Sequence, residues 1–150
     1  MNESIAYADR ERGRWVQFTA AFVAVLGLAD SVYLTIHNLT ATPVPCSIIE
    51  GCETVLTSQY AEFAGVPLGV YGAAAYFVAF SLAILAAYGN RTMWKLFGVQ
   101  AAIMGAVTFW LLYLQAFVIG AFCQFCLISA FTTFLLLILF AISKITRSTA

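Results

Sequence analysis

Charged residues are scarce in this sequence: only 9% of its 150 residues are Asp, Glu, Lys or Arg, and 63% are hydrophobic. Soluble domains contain about 25% charged and about 45–50% apolar residues, so this composition excludes an ordinary soluble globular protein. Seven basic residues balance seven acidic ones, which argues against nucleic acid as a partner. Together with a mean hydropathy of +0.92, the composition predicts an integral membrane protein.

Charge is nearly absent from four long apolar runs. They cover residues 16–36, 66–88, 96–119 and 122–143, and Asp30 is the one charged residue within them. A helix rises about 1.5 Å per residue, so each run can cross a hydrocarbon core of roughly 30 Å. Because backbone polar groups in lipid must be bonded within the segment, we predict helices. The predicted fold is all-α, a single membrane domain over 1–150 built as a four-transmembrane-helix bundle.

Basic residues are missing from the longest connection between the runs, residues 38–65. All seven lie at the opposite ends of the runs, at Arg10, Arg12, Arg14, Arg91, Lys95, Lys144 and Arg147. Since Lys and Arg mark the cytoplasmic side, we expect both termini in the cytoplasm and 38–65 as an external loop. Within this loop Leu56, Tyr60 and Phe63 recur at helical spacing, which predicts a short surface helix over 54–64.

The four cysteines all fall on the predicted external side. Cys46 and Cys52 form C-x5-C in the loop, and Cys123 and Cys126 form C-x2-C at the start of the fourth run. An external position permits disulfides, and three complete pairings of four cysteines remain open. The start of a helix favours the thiolate form of a cysteine, which is the reactive one. The C-x2-C pair therefore indicates redox chemistry.

The two cysteine pairs have complementary surroundings. The loop pair is open to a soluble dithiol protein, whereas the C-x2-C pair lies among Phe122 and Phe125, in an apolar setting that suits a lipid-soluble quinone. Gln115 and Gln124 are candidate donors to a quinone carbonyl or partners of neighbouring helices. We predict a relay of thiol–disulfide exchanges that carries electrons from an external dithiol to the loop, then to the C-x2-C pair, then to the quinone.

Other interpretations of the same residues stay open. Two static disulfides would staple the loop and the bundle, although a Cys123–Cys126 bridge closes too short a loop to constrain the unfolded chain much. No metal site is predicted, because C-x5-C breaks the paired C-x2-C spacing of structural zinc. Asp30, as an acid inside a span, is a candidate proton relay for quinone reduction or a structural residue that bonds a backbone group. It would be the coupling carboxylate of an alternative function, a small four-span transporter with structural disulfides.

Several segments resemble the vitamin K epoxide reductase family and its bacterial members. They are CSIIEGC in the loop, TVLTSQYAEFAGVPLG entering the second run, FCQFC opening the fourth, and GLADSVYL in the first. The resemblance covers nearly all of residues 15–143. It implies that Cys46 exchanges with a thioredoxin-like protein and that Cys52 passes electrons to Cys123. Cys126 would then face the quinone, of ubiquinone or menaquinone type.

The resemblance also bears on substrate, partner and location. It implies a quinone contact for Ser58, six residues after the second loop cysteine, although a helix-capping role is equally open. Animal members have a tyrosine where this chain has Ala130, so a bacterial plasma-membrane dithiol–quinone oxidoreductase making disulfides for exported proteins is favoured. Reduction of vitamin K epoxide is the alternative. Because the chain ends soon after the fourth run, we expect a separate periplasmic thioredoxin-like partner.

Overall fold

A computed structural model describes residues 2–148, and in this part of the chain four helices are long and apolar enough to cross a membrane. In chain order the elements are α1 (Asn2–Leu39), α2 (Cys52–Leu56), β1 (Glu62–Phe63), β2 (Val66–Pro67), α3 (Leu68–Ala87), α4 (Arg91–Tyr113) and α5 (Gln124–Ser148). A π-helical segment, Leu114–Ile119, continues α4. The predicted helical membrane bundle is thereby confirmed, with α1, α3, α4 and α5 as its four long helices.

Local sequence determines where these helices begin and end. Asn90 caps α4, because its side-chain oxygen accepts hydrogen bonds from the backbone N–H groups of Thr92 and Met93, at 3.1 and 3.3 Å. Gly120 ends the π-helical segment with a φ of 70°, a left-handed conformation that glycine adopts without strain. The chain consequently reverses between Ile119 and Gln124, which leaves Cys123 just before α5 and Cys126 in its first turn.

The four long helices pack through small residues. Gly69 and Gly72 of α3 lie against α1, and Gly98 and Gly105 of α4 lie against α5. Such close approach is the usual way in which membrane helices gain contact area. The buried centre, here called the bundle core, lies towards the helix ends that carry the basic residues. It includes Ala20, Ala24, Tyr76, Ala79, Ala83, Trp94, Phe97, Ala101 and Leu136.

The connection between α1 and α3 differs in part from expectation. The predicted short helix is present, but as α2 it covers Cys52–Leu56 and not 54–64. After Leu56 the chain turns: the Ser58 hydroxyl donates to the Val55 carbonyl at 2.7 Å, and the antiparallel pair β1–β2 follows. Leu56, Tyr60 and Phe63 therefore share no helical face, and this small strand pair was not predicted.

Candidate functional site

All four cysteines meet in one apolar cluster beneath the loop. Cys52 and Cys123 have no exposed surface, and Cys46 and Cys126 are half-buried beside them. This cysteine cluster also contains Val55, Leu56, Ile119, Ala121 and Phe125. Cys46 and Cys52 are joined by a disulfide, whereas Cys123 and Cys126 are free thiols. The structure thus brings the C-x5-C and C-x2-C motifs together, although they are far apart in sequence.

Two contacts hold the loop against the start of α5. A Cβ atom at Gly51 would overlap the carbonyl oxygen of Phe122, so only glycine allows the two backbones to approach this closely. The Gln124 side-chain oxygen accepts a hydrogen bond from the backbone N–H of Ile48 at 3.3 Å. Both contacts flank Cys52, and they keep it next to Cys123 in the cysteine cluster.

The C-x2-C pair is organised by the beginning of α5 and by Gln115. The carbonyl of Cys123 accepts the N–H of Leu127 at 3.0 Å, as the capping residue of a helix does. The backbone N–H of Cys123 donates to the side-chain oxygen of Gln115 at 3.2 Å. The Gln115 side chain also lies near that of Cys126, since both border one cavity. One buried amide therefore lies beside the C-x2-C pair and bonds the backbone of its first member.

A cavity of about 280 Å³ opens next to the C-x2-C pair. Of the four cysteines, Cys126 alone lines it. The other lining residues come from α1, the loop, α3, α4, the π-helical segment and α5, and they are largely apolar. Small-molecule pockets typically measure about 300–1,000 Å³ and combine apolar walls with a few polar groups. The cavity therefore has the size and chemistry to hold a single flat ring with Cys126 in its wall.

Ser58 is one of the residues lining this cavity. Its hydroxyl hydrogen is directed to the Val55 carbonyl, so it terminates α2 while its oxygen remains available as an acceptor. The position of Ser58 thus fits both roles considered from the sequence, a cap on α2 and a contact for a bound molecule.

The two phenylalanines of FCQFC lie outside the cavity. Phe125 packs in the cysteine cluster, and its ring centroid lies 5.2 Å from that of Tyr33. Phe122 is 41% exposed and is not among the residues of the cysteine cluster. Neither ring is part of the cavity wall, and their predicted contact with a quinone stays a prediction.

Asp30 lies in α1, and its carboxylate is not part of the cavity wall. One oxygen, Oδ2, is buried without a hydrogen-bond partner among the described residues. The predicted role of Asp30 as a proton relay stays a prediction.

The chain is similar in sequence to known proteins. Residues 18–141 match the model of the vitamin K epoxide reductase family. The chain belongs to this family. It is also 35% identical, over 121 residues, to the thiol-disulfide oxidoreductase LTO1 of Arabidopsis thaliana. That match covers 75% of the chain but only 32% of LTO1, so the chain spans about a third of this relative's length.

Family membership confirms the predicted enzyme class, since both matches carry the names of oxidoreductases.

Ala130 lines the cavity and supplies no hydroxyl group there. A different tyrosine is nearby, because Tyr76 of α3 reaches across the bundle. Its hydroxyl donates to the Ser129 carbonyl at 2.7 Å and lies 2.8 and 2.9 Å from the hydroxyls of Thr132 and Thr133. Tyr76 thereby fixes α5 one turn beyond Cys126.

Sequence reasoning found the cysteines and missed much of what holds them. Gly51 carries no local mark that separates it from a glycine in a flexible loop. Gln124 was considered a candidate donor to a quinone, yet it anchors the loop. Tyr76 has no motif around it, and an apolar run with an aromatic residue is ordinary in a membrane helix. Only the three-dimensional contacts distinguish these residues.

Proposed function

We propose that this protein oxidises a thioredoxin-like dithiol protein and reduces a quinone, and so generates disulfides for exported proteins. The observation that carries the proposal is the cysteine cluster, in which both cysteine pairs pack together. Cys46 is half-buried in the loop, Cys52 and Cys123 are buried, and Cys126 borders the cavity. The four sulfur atoms thus offer an entry, two intermediate positions and an exit for electrons.

Electrons enter at Cys46. A thiolate of the partner attacks Sγ of Cys46, a partner–Cys46 disulfide forms, and the Cys46–Cys52 bond breaks. Cys52 leaves as a thiolate and attacks Sγ of Cys123 in an oxidised Cys123–Cys126 pair. A Cys52–Cys123 disulfide forms, and Cys126 is released as a thiolate. Each exchange replaces one S–S bond by another and needs no further oxidant.

The exchange is completed by two resolving steps. The second thiol of the partner attacks the mixed disulfide, which releases the oxidised partner and the Cys46 thiol. Cys46 then attacks Cys52, so the loop disulfide re-forms and Cys123 is released. In sum, one disulfide forms in the partner and the Cys123–Cys126 disulfide becomes two thiols. The redox state described above, with the loop disulfide closed and two free thiols, corresponds to this product.

The acceptor is a quinone of the ubiquinone or menaquinone type. The cavity fits such a molecule, because its walls are largely apolar and carry a few polar side chains, among them Ser58, Tyr76 and Gln115. A quinone supplies an acceptor for two electrons and two protons. Cys126 presents its thiol in the cavity wall, and Ser58 offers an oxygen to a bound molecule. Cys123 closes the disulfide with Cys126, and Phe125 packs beside the two cysteines.

Asp30 is proposed as the proton relay of this site. Oxidation of the two thiols releases two protons, and the quinone must take up two protons when it is reduced to the quinol. The support is a buried carboxylate oxygen, Oδ2, that has no hydrogen-bond partner among the described residues and lies on α1, which packs against α5. Asp30→Asn keeps the shape but cannot carry a proton. It is expected to slow quinone reduction while exchange between the partner and Cys46 continues.

The loop is proposed to face the exterior of a bacterial plasma membrane, where a periplasmic thioredoxin-like partner can reach Cys46. Arg91 and Lys95 lie at the opposite end of the bundle, in the same direction as Lys144 near the end of α5. Positive residues favour the cytoplasmic side. The oxidoreductase is preferred over a transporter using Asp30, since family membership assigns the reduction chemistry and none of the transport chemistry.

The test is quinone reduction by the purified protein in detergent. A reduced thioredoxin-like protein serves as the electron donor, and a short-chain ubiquinone or menaquinone serves as the acceptor. Wild type and Cys126→Ser are compared in the same assay, and their thermal unfolding midpoints are recorded. We expect wild type to turn over and Cys126→Ser to be inactive at an unchanged midpoint. Turnover by Cys126→Ser, or its absence in wild type with both quinones, would contradict the proposal.

A further inference from the structure

Gln115 stands out among the buried polar residues, since its side chain is only 3% exposed and lies next to the reacting sulfur atoms. Its Oε1 accepts the backbone N–H of Cys123 at 3.2 Å. Its side chain also forms part of the cavity wall, as the side chain of Cys126 does. The exchange scheme proposed above gives this residue no role.

The backbone around Gln115 is unusual in the same place. Leu114–Ile119 is π-helical, and Leu114 and Gln115 are its buried residues. π-helical turns are rare and are found frequently at functional sites. Here the segment lies between α4 and the reversal that leads to Cys123, and it contacts α2 below the loop. The irregular turn therefore coincides with the junction of the loop, the cavity and the C-x2-C pair.

An amide suits this junction for a chemical reason. The backbone N–H of Cys123 needs an acceptor, whereas the sulfur of Cys126, when it is a thiolate, needs a donor. A carboxamide offers both on one rigid planar group, but an ionised carboxylate only accepts and a thioether does neither well. A buried donor without a partner costs about 1–3 kcal/mol, so losing the acceptor also disturbs the Cys123 backbone.

We propose that Gln115 is a positioning residue for the final electron transfer, holding Cys123 by its backbone and Cys126 by its sulfur. This inference rests on the proposed function. In the step concerned, two S–H bonds break, the Cys123–Cys126 bond forms, and two electrons and two protons pass to the quinone. Gln115 gains and loses no electron or proton. It keeps the two sulfur atoms at bonding distance and keeps Cys126 in the cavity wall.

The experiment compares two substitutions at this position with a matched control. Gln115→Met removes both interactions at nearly constant volume. Gln115→Glu keeps the acceptor at neutral pH, and at low pH its protonated carboxyl regains an O–H donor. Gln17→Met is the control, because Gln17 is also a buried glutamine, 4% exposed, near the other end of the bundle. For each protein kcat and KM for a short-chain ubiquinone are measured from pH 5.5 to 8, together with the thermal midpoint.

We expect both substitutions at Gln115 to lower kcat about 100-fold at pH 8, as is typical when a reacting group is misplaced by about 1 Å. KM is expected to stay within threefold, because ring binding is shared by the whole cavity. The ratio of Gln115→Glu activity to wild-type activity should rise at least tenfold towards pH 5.5. The same ratio for Gln115→Met should stay flat, and Gln17→Met should keep the wild-type kcat.

A second arm omits the quinone. The small azo oxidant diamide takes two electrons and two protons from a dithiol, so closure of the Cys123–Cys126 disulfide can be followed by mass spectrometry after alkylation. Slower closure in both Gln115 variants supports positioning even if wild type fails to reduce any quinone, in which case only the proposed function falls. Wild-type closure rates, equal pH profiles for Gln115→Glu and Gln115→Met, or an equal loss in Gln17→Met would overturn the positioning role.

Discussion

The bundle core and the cysteine cluster are built from different kinds of backbone. The core lies within four long helices, and its polar groups are bonded between helices, as when the Trp94 indole N–H donates to the Ser143 hydroxyl at 3.1 Å. The cysteine cluster is assembled from the loop, the short helix α2, the π-helical segment and the reversal before α5. Regular helices thus provide rigidity, while irregular segments at one end of them hold the reactive sulfur atoms.

Because of this division, the stability of the fold and the redox chemistry of the cysteine cluster can be changed separately. Substitutions in the core should lower the free energy of unfolding and leave the chemistry of the folded fraction intact. Substitutions in the cysteine cluster should do the reverse, since few helix–helix contacts depend on it. Substitutions at Cys52, Gly51, Leu136 and Asn90 test this separation.

The strongest effect is expected at Cys52. A thioredoxin-like protein with one cysteine, activated as a mixed disulfide with thionitrobenzoate, is added to the fully reduced enzyme. Cys46 attacks and forms an adduct, which Cys52 expels in wild type by closing the loop disulfide. In Cys52→Ser the adduct should persist, and quinone turnover should vanish. Non-reducing electrophoresis measures the adduct.

The matched control for this experiment is Cys46→Ser. Cys52 is fully buried, whereas Cys46 is only half-buried. Cys46→Ser should therefore form no adduct under the same conditions. An adduct of equal yield on Cys52 would show that entry is not selective for Cys46.

The next effect is expected for Gly51→Ala. The added methyl group overlaps the Phe122 carbonyl, so the loop must move away and take Cys52 from Cys123. A displacement of about 1 Å typically costs about 100-fold in rate, so turnover should fall by this factor. The Cys123 thiol should also react faster with an alkylating reagent once the loop that lies over it has moved. Glu50→Ala, at the exposed neighbouring position, serves as the control, and equal losses in both variants would contradict this reason.

In the bundle core, Leu136→Ala should affect stability more than chemistry. Leu136 has no exposed surface, and truncation of such a side chain typically costs about 2–5 kcal/mol. The thermal midpoint should fall, while kcat per folded molecule stays within twofold. Ile138→Ala on the same helix is the control, because Ile138 is 52% exposed on the outer face. A large loss of kcat at an unchanged midpoint would break the proposed separation.

The smallest effect is expected at the cap of α4. Asn90→Ala removes an acceptor for two backbone N–H groups and should cost about 1 kcal/mol of stability. Asn90→Asp keeps the acceptor and should restore most of the loss. Both variants should reduce the quinone at the wild-type rate, as measured beside their thermal midpoints. A slowed rate in either would mean that α4 transmits changes along its whole length to the site.

The helices were predictable because hydropathy reports directly on what a membrane demands of a segment. The absence of charge in four runs was sufficient to place them, and the spacing of the cysteines indicated redox chemistry. The helix predicted over 54–64 extends beyond α2, since three apolar positions in eleven residues do not show that the chain turns at Ser58, whose hydroxyl bonds the Val55 carbonyl. Such a turn leaves no mark in the hydrophobic periodicity.

The interior of the site was not predictable for a related reason. The contact of Ile48 with Gln124 joins residues 76 positions apart, and no local pattern encodes it. The π-helical segment has no sequence signature that separates LQAFVI from any apolar stretch. The predicted contact of Phe122 and Phe125 with a quinone rests on their proximity to the cysteines in sequence, and neither residue lines the cavity.

The complete burial of Cys52 and Cys123 has a consequence for selectivity among reductants. A small thiol in water cannot attack a sulfur atom that has no exposed surface. In the proposed scheme, the exchange between Cys52 and Cys123 is therefore shielded from such thiols. A reductant can therefore enter only at Cys46, and electrons can leave only where a lipid-soluble molecule meets Cys126. The surroundings of this one half-buried cysteine thus determine which thiols can supply electrons to the quinone.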